Sequence, residues 1–73
     1  GGAPVISKTL RIDRGEGDSA GPLGVLAETY PDLSIGSYPF QKDGKFGANI
    51  VIRGTDGGQV DTALAALETQ FPG

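Results

Sequence analysis

The chain contains no cysteine, histidine, methionine or tryptophan among its 73 residues. Without cysteine it can form neither a disulfide framework nor a cysteine-ligated zinc site. Without histidine or cysteine it cannot by itself build a Ser-His-Asp triad, a histidine general base or a thiolate nucleophile. The side chains that remain for catalysis are those of Asp, Glu, Lys, Tyr, Ser and Thr.

Long apolar runs and positive charge are also scarce. No apolar run approaches the roughly 18 residues that a membrane span needs, and the first residues do not resemble a signal peptide. The formal net charge is −3, which disfavours binding to nucleic acid because that binding needs clustered lysine and arginine. We therefore expect a cytoplasmic domain that contacts no membrane and for which nucleic acid is a disfavoured partner.

Glycine, in contrast, is abundant, with 13 of 73 residues, which indicates many turns and places of tight backbone. A chain of this length has room for one small core, since two cores would each bury too little surface. It begins with Gly1-Gly2-Ala3-Pro4 and has no initiator methionine. We therefore expect a single domain excised from a longer protein, with an ordered core from about residue 4 to about residue 71.

Three segments, at residues 5–13, 33–40 and 46–53, are predicted to be extended strands, and residues alternate between two faces along the first and the third. The second contains Gly36, which suggests a bulge or a close backbone approach, and Pro39, which cannot donate to a strand ladder. We therefore expect this segment at the sheet edge. Asp43-Gly44 between the last two segments predicts a tight hairpin.

Two further segments have the periodicity of amphipathic helices. The first is predicted to be capped by Asp18 or Ser19 and to end before Pro31. Its apolar stripe comprises Leu23, Leu26, Ala27 and Tyr30. The second is predicted to be capped by Asp56, with Gln59 completing a capping box. Its apolar stripe comprises Val60, Leu64, Leu67 and Phe71.

The element order β-α-β-β-α predicts an α+β fold, a two-layer sandwich in which both helices cover one face of a three-stranded sheet. The hairpin pairs the second and third strands, so an edge position for the second gives the order 1-3-2 with antiparallel neighbours. The other face would leave Val5, Tyr38 and Val51 uncovered, and a partner domain or a second copy of the chain would fit there.

Two patterns in the sequence are candidates for sites of chemistry. Asp13, Glu16 and Asp18 could hold Mg²⁺ or act as acid and base, but solvation of a turn explains them more simply. Gly21-Pro22-Leu23-Gly24 matches the GXXG pattern of KH domains, yet its middle residues are apolar and its surroundings acidic. No catalytic, metal-binding or cofactor-binding residue is assigned, and no cofactor is expected.

Two other segments suggest binding. Residues 54–58 could cradle a phosphate at a helix N-terminus, although helix capping explains them more simply. Lys42, Lys45 and Arg53 are expected on or near the hairpin alongside Phe40 and Phe46, a pattern that suits either a small single-strand or nucleotide platform or a solvated turn. A glycine and a proline inside residues 35–39 suggest a docking edge. The candidate interaction surface comprises Gly36, Ser37, Tyr38, Pro39, Lys42, Lys45, Val51 and Arg53.

Four segments carry a resemblance to a known family. They are residues 15–18, residues 20–23, YPDLSIGSYP at residues 30–39 and NIVIRGTD at residues 49–56. They resemble the segment that follows the molybdopterin-binding-like domain in relatives of competence/damage-inducible protein A (CinA). These relatives include standalone bacterial molybdopterin-binding proteins and the corresponding part of eukaryotic FAD synthase. The similarity extends from Pro4 to Phe71.

The resemblance implies the small C-terminal domain of such proteins, which is KH-like in topology. Its partner would be the larger molybdopterin-binding-like domain of the same chain, or a second copy in a homo-oligomer. The parent would be a metal-dependent nucleotide pyrophosphatase whose catalytic residues lie in that larger domain. We therefore expect a non-catalytic accessory domain. The alternative is a weak RNA or single-stranded DNA binder, and an autonomous enzyme is the least supported hypothesis.

Overall fold

A computed structural model describes residues 2–14 and 20–71 of the chain. Within these residues the element order is β-α-β-β-α, as predicted. The strands and helices are β1 (Ile6–Ile12), α1 (Ala20–Thr29), β2 (Ser34–Lys42), β3 (Lys45–Gly54) and α2 (Gly57–Gln70). Asp18 and Ser19, the predicted caps of α1, lie outside the described residues. The α+β class is confirmed.

The three strands form one antiparallel sheet in the order β1-β3-β2. The predicted order is thereby confirmed, and Pro39 lies in an edge strand. β2 and β3 pair up to Lys42 and Lys45, beyond the predicted ends, because the connecting turn has only two residues. Asp43 has φ 53° and Gly44 has φ 75°, and positive φ at both central residues is the geometry of a type I′ hairpin turn.

One face of the sheet forms the core with the two helices. On β3, Ala48, Ile50 and Ile52 of this face are buried, as the alternation predicted, whereas Phe46, on the same face near the hairpin, is exposed. The buried apolar side chains are those of Ile12, Leu26, Leu33, Ala48, Ile50, Ile52, Val60, Ala63 and Leu67. Both helices contribute to this set, so they cover the same face, which we call the helix-side face; the opposite one is the outer face.

Helix α2 begins where the sequence predicts. The N–H of Gln59 donates to Oδ1 of Asp56 at 3.2 Å, so Asp56 caps the helix. Val60 and Leu67 of the predicted stripe are buried, together with Ala63. Residues 54–58 therefore cap a helix with a carboxylate, which leaves a negative charge where a bound phosphate would have to lie.

Helix α1 differs from its prediction at Ala27, which is exposed rather than buried. Leu26 is buried, and Ala27 lies about 100° further round the helix, outside the narrow strip that contacts the core. The prediction of Ala27 in the buried stripe was wrong for this reason. Gly21 and Gly24 lie within α1 and not in a loop, and a Cβ on either would meet nothing within 4 Å.

Gly36 causes no bulge, because β2 and β3 stay in unbroken register through its pairing with Val51. The ring of Tyr38 lies over it instead, and a Cβ at Gly36 would be 3.2 Å from Cε2 of that ring. The close approach is thus made by a side chain, not by backbone. Neither helix in residues 20–71 has the length and apolar character needed to cross a bilayer.

Candidate functional site

The outer face of the sheet leaves several large side chains in solvent. Tyr38 is 52% exposed and Val5 is 65% exposed, whereas Val51 is half-buried. These are the three residues that the alternation predicted on this face. Since no described element packs over it, this face is where binding groups can reach a ligand or partner.

The predicted interaction surface is divided between separate places. Gly36, Tyr38, Val51 and Arg53 lie toward one end of the outer face, where Gly36 pairs with Val51. The lysine members, Lys42 and Lys45, pair with each other at the hairpin end. At about 3.3 Å per residue, the two ends of β2 are roughly 27 Å apart. The eight residues therefore do not form one contiguous patch.

Ser37 and Pro39 belong to the other face of β2. They pair with Ile50 and Ala48, which are buried on the helix-side face. The Oγ atom of Ser37 is buried and has no hydrogen-bond partner within the described chain. Whether any of the eight residues contacts a partner stays a prediction.

The hairpin end of the sheet combines charged and aromatic side chains around a cavity of about 490 Å³. We call this place the hairpin-end site. Its lining residues are Arg11, Asp13, Phe40, Lys42, Asp43, Lys45 and Phe46. All three strands or their immediate ends contribute to it, so the site exists only when the sheet is formed.

A glycine in the central strand shapes the site. A Cβ at Gly47 would lie 2.5 Å from Cζ of Phe40 and 2.6 Å from the carbonyl oxygen of Ile12. Real Cβ atoms do not approach other atoms so closely, so the ring of Phe40 can lie over β3 only because residue 47 has no side chain.

Phe40 in turn positions an arginine from the far strand. The Cζ atom of Arg11 is 4.7 Å from the centroid of the Phe40 ring, a cation–π contact. Nε of Arg11 also donates to Oδ1 of Asp13 at 3.0 Å. The guanidinium is thus held by an aromatic ring and a carboxylate together, although both partners of the ion pair are largely exposed and the pair itself stabilises little.

The charge of the site is opposite in sign to that of the whole chain. Its three cations and two carboxylates leave one positive charge in excess, whereas the chain carries −3. Lys42 and Lys45 are direct cross-strand partners, and like charges in that relation repel each other. Phe46 is 63% exposed and pairs with Gln41, so strand alternation puts its side chain on the opposite face of the sheet from both lysines.

The side chains at this site can contribute to the binding of an anion. Among residues 2–14 and 20–71, no three His, Cys, Asp or Glu side chains come together in a way that could hold a metal ion. Of the predicted acidic cluster, Glu16 and Asp18 lie outside the described residues, and Asp13 is paired with Arg11. The hairpin-end site offers cations to an anionic ligand.

Sequence reasoning recognised only part of this site. The sequence grouped Lys42 and Lys45 with Phe40 and Phe46, but it did not connect Arg11 or Asp13 with them. The signal that could have found Arg11 is a glycine in a central strand opposite an aromatic residue. Its cause is the register, in which Phe40 pairs with the glycine of β3.

A second concavity, of about 400 Å³, lies between the two helices. It is mainly apolar, and Val25 at its rim is 65% exposed. Its lining residues are Pro22, Val25, Leu26, Thr29, Tyr30, Ala66, Leu67 and Gln70. None of these side chains is charged, so this groove suits apolar contact and not anion binding.

The fold and these surfaces define a small two-layer α+β domain that presents binding groups. A family model described as FAD synthase, middle domain, matches residues 4–73. Because the match covers nearly the whole chain, the chain belongs to the FAD synthase middle-domain family. Searches of curated proteins and of solved structures give no significant match.

The family match corrects the resemblance drawn from sequence. Identification with the C-terminal domain of CinA relatives was wrong, and so was the larger molybdopterin-binding-like domain named as partner. The string at residues 30–39 covers the turn after a helix and part of an edge strand. Turns and strands favour the same residue types in many unrelated folds, so this string does not identify a family.

The nucleic-acid alternative gains no support from the family match either. The GXXG loop of a KH domain clamps the nucleic-acid backbone. Here Gly21 and Gly24 fall within the first turns of α1, so the pattern does not form such a loop. The KH-like description of the chain was therefore wrong as a guide to its function.

Proposed function

We propose that this chain is a non-catalytic domain of a FAD synthase, which assists FAD formation by residues that lie elsewhere in that protein. The observation that carries the proposal is the family match over residues 4–73. A domain described as the middle one implies other parts of the enzyme on both sides, and the chemistry can be assigned to those.

The composition of the described surface supports this division. Joining FMN to the adenylyl group of ATP is a phosphoryl-type transfer, which relies on a metal ion and on donors that surround the phosphates. In the described residues no cluster of carboxylates could hold such a metal. The N-terminus of α2 is also capped by Asp56, whose charge opposes an approaching phosphate.

Turnover by the purified 73-residue chain tests the proposal. The chain is incubated with FMN, ATP and Mg²⁺, and FAD is measured by chromatography with fluorescence detection. We expect no FAD above the level of a protein-free control, while an authentic FAD synthase run in parallel produces it. FAD formation that co-purifies with the chain, and that scales with its concentration, would contradict a non-catalytic role.

A further inference from the structure

We propose that the outer face of the sheet docks onto an acidic surface that belongs to another part of the same enzyme chain. This inference rests on the proposed function, because only a domain within a longer FAD synthase has such a neighbour. Three observations support it: the separation of charge between the two sides of the domain, the layout of the outer face, and the small area of that face.

The outer face carries an excess of positive charge. Strand alternation and the register of the sheet place four cationic side chains on it. They are Arg11, Lys42, Lys45 and Arg53. Two carboxylates, those of Asp13 and Asp43, lie at its hairpin end. Cations on this side therefore outnumber carboxylates by two.

The helices and the segments at their ends carry the opposite charge. Two cations lie on this side, and both have contacts there: Lys8 pairs with Asp61 at 3.2 Å, and Cζ of Arg14 is 5.7 Å from the centroid of the Phe71 ring. Five carboxylates of the described chain lie here, those of Glu28, Asp32, Asp56, Asp61 and Glu68. Because the sheet separates them from the outer face, a surface that complements the outer cations has to come from outside the domain. Charge complementarity requires that surface to be acidic.

The middle of the outer face is apolar. Tyr38 is 52% exposed, and its ring lies over Gly36, where a Cβ would be 3.2 Å from Cε2 of the ring. Gly36 pairs with Val51, which is half-buried on the same face. Arg53 lies beyond them toward one end of the sheet, and the lysine pair lies at the other end. An aromatic centre with a charged rim is typical of a protein interface.

The area of the outer face favours a tethered partner over a free one. Three strands spaced about 4.8 Å apart and roughly 27 Å long cover about 400 Å². A stable interface between free proteins buries about 800 Å² on each partner, so a second copy of the domain would bind here only weakly. A neighbour in the same chain is present at an effective concentration of about millimolar, at which a small contact is sufficient.

Hydroxyl-radical footprinting tests which face is covered. The 73-residue chain and the full-length enzyme that contains it, both free of nucleic acid, are oxidised in parallel, and mass spectrometry measures the rate at each aromatic residue. We expect Tyr38 to react at least about fivefold more slowly in the full-length enzyme, because the centre of an interface excludes water. Phe46 is the matched control, since it is 63% exposed but lies on the helix-side face, and its rate should not change.

Charge-reversal variants of the full-length enzyme test the role of the cations. Arg53→Glu should return Tyr38 to the reactivity that it has in the 73-residue chain, because attraction at the rim becomes repulsion. Lys8→Glu makes the same change in net charge on the helix-side face and should leave Tyr38 protected. Circular dichroism first establishes that each variant is folded.

Carbodiimide coupling tests the chemistry of the covering surface, because it joins a lysine amine to a carboxylate only where the two are in contact. Lys8 and Asp61, at 3.2 Å, are the internal positive control. We expect Lys42 or Lys45 to couple to an Asp or Glu outside the 73 residues, and mass spectrometry of the digested enzyme locates the product.

Three outcomes would overturn the inference: Tyr38 no better protected than Phe46, equal loss of protection in Arg53→Glu and Lys8→Glu, or no coupling of the lysine pair to outside carboxylates while the Lys8–Asp61 product forms. Protection of Tyr38 that grows with the concentration of the 73-residue chain would also overturn it, in favour of a second copy. FAD formation by the 73-residue chain removes the proposed function and does not alter the footprint, whereas an exposed Tyr38 in the full-length enzyme removes this inference alone.

Discussion

The two helices cover the same sheet but contribute differently to the fold. α2 has 14 residues, a side-chain cap and three buried residues, of which Leu67 is 1% exposed. α1 has 10 residues, and its only fully buried side chain in residues 21–29 is Leu26, at 6%. The stability of this small domain is therefore concentrated where α2 packs on the sheet.

The difference follows from composition. α2 contains alanines and leucines at helical spacing, whereas α1 contains Gly21, Pro22 and Gly24 within its first half. Each interior glycine costs a helix about 1 kcal/mol relative to alanine. Nothing in the described structure fills the space beside either glycine, so packing does not compensate for that cost.

The largest expected effect contrasts a buried leucine of α2 with a buried leucine of α1. Leu67→Ala should lower the free energy of unfolding by about 3 kcal/mol, because Leu67 is 1% exposed and packs in the core together with Val60 and Ala63 of the same helix. Leu26→Ala should cost about 2 kcal/mol, since Leu26 is 6% exposed and comes from the helix that buries fewer side chains. Urea denaturation followed by circular dichroism measures both. An equal or larger loss at Leu26 would show that α1 is no less important than α2.

Amide hydrogen exchange gives a second contrast, and it needs no substitution. We expect the slowest amides of α2 to be protected at least about tenfold more than those of α1, because local opening of α1 exposes less apolar surface. Two-dimensional NMR after transfer to D₂O measures the rates. Similar protection along both helices would mean that they open together as one unit.

The cap of α2 gives a smaller effect. Asp56→Ala removes the acceptor for the N–H of Gln59, and loss of an N-cap costs about 1 kcal/mol. Asp56→Asn keeps an acceptor and should retain most of the stability. Thermal melts of the three proteins make the comparison, and a loss equal in both variants would indicate that charge, not the hydrogen bond, is what stabilises the helix.

The smallest effect has the opposite sign. Gly24→Ala should raise the free energy of unfolding by about 0.5–1 kcal/mol, because a Cβ there meets nothing within 4 Å. Gly47→Ala is the matched control and should destabilise by about 2 kcal/mol, since its Cβ would collide with Phe40 and with the Ile12 carbonyl. Chemical denaturation of both variants would reveal whether the glycine of α1 is as constrained as that of β3.

Local signals made most of the fold predictable. Asp43-Gly44 defined the hairpin, Pro39 placed β2 at the edge, and Asp56 marked the start of α2; each depends on backbone rules that act within a few residues. The hairpin and the edge position of β2 together lead to the strand order 1-3-2. The structure confirms that order.

The rest depends on contacts between distant residues. Which side of α1 is buried depends on how the helix packs on the sheet. The sequence alone therefore placed Ala27 wrongly in the buried stripe. The hairpin-end site needs the register of all three strands before Arg11 can meet Phe40. Family membership was missed for a related reason, because a ten-residue string mostly reports local backbone requirements and not the protein to which the segment belongs.

The lysines that face each other at the hairpin tip should lower the stability of the hairpin, because like charges opposite each other on neighbouring strands repel. Replacing either one by a neutral residue should relieve the repulsion between them. Where selection acts on stability alone, one of the two lysines should be replaced by a neutral residue. Relatives that keep both, despite warm habitats, would point to a continuing demand for an anion at this tip.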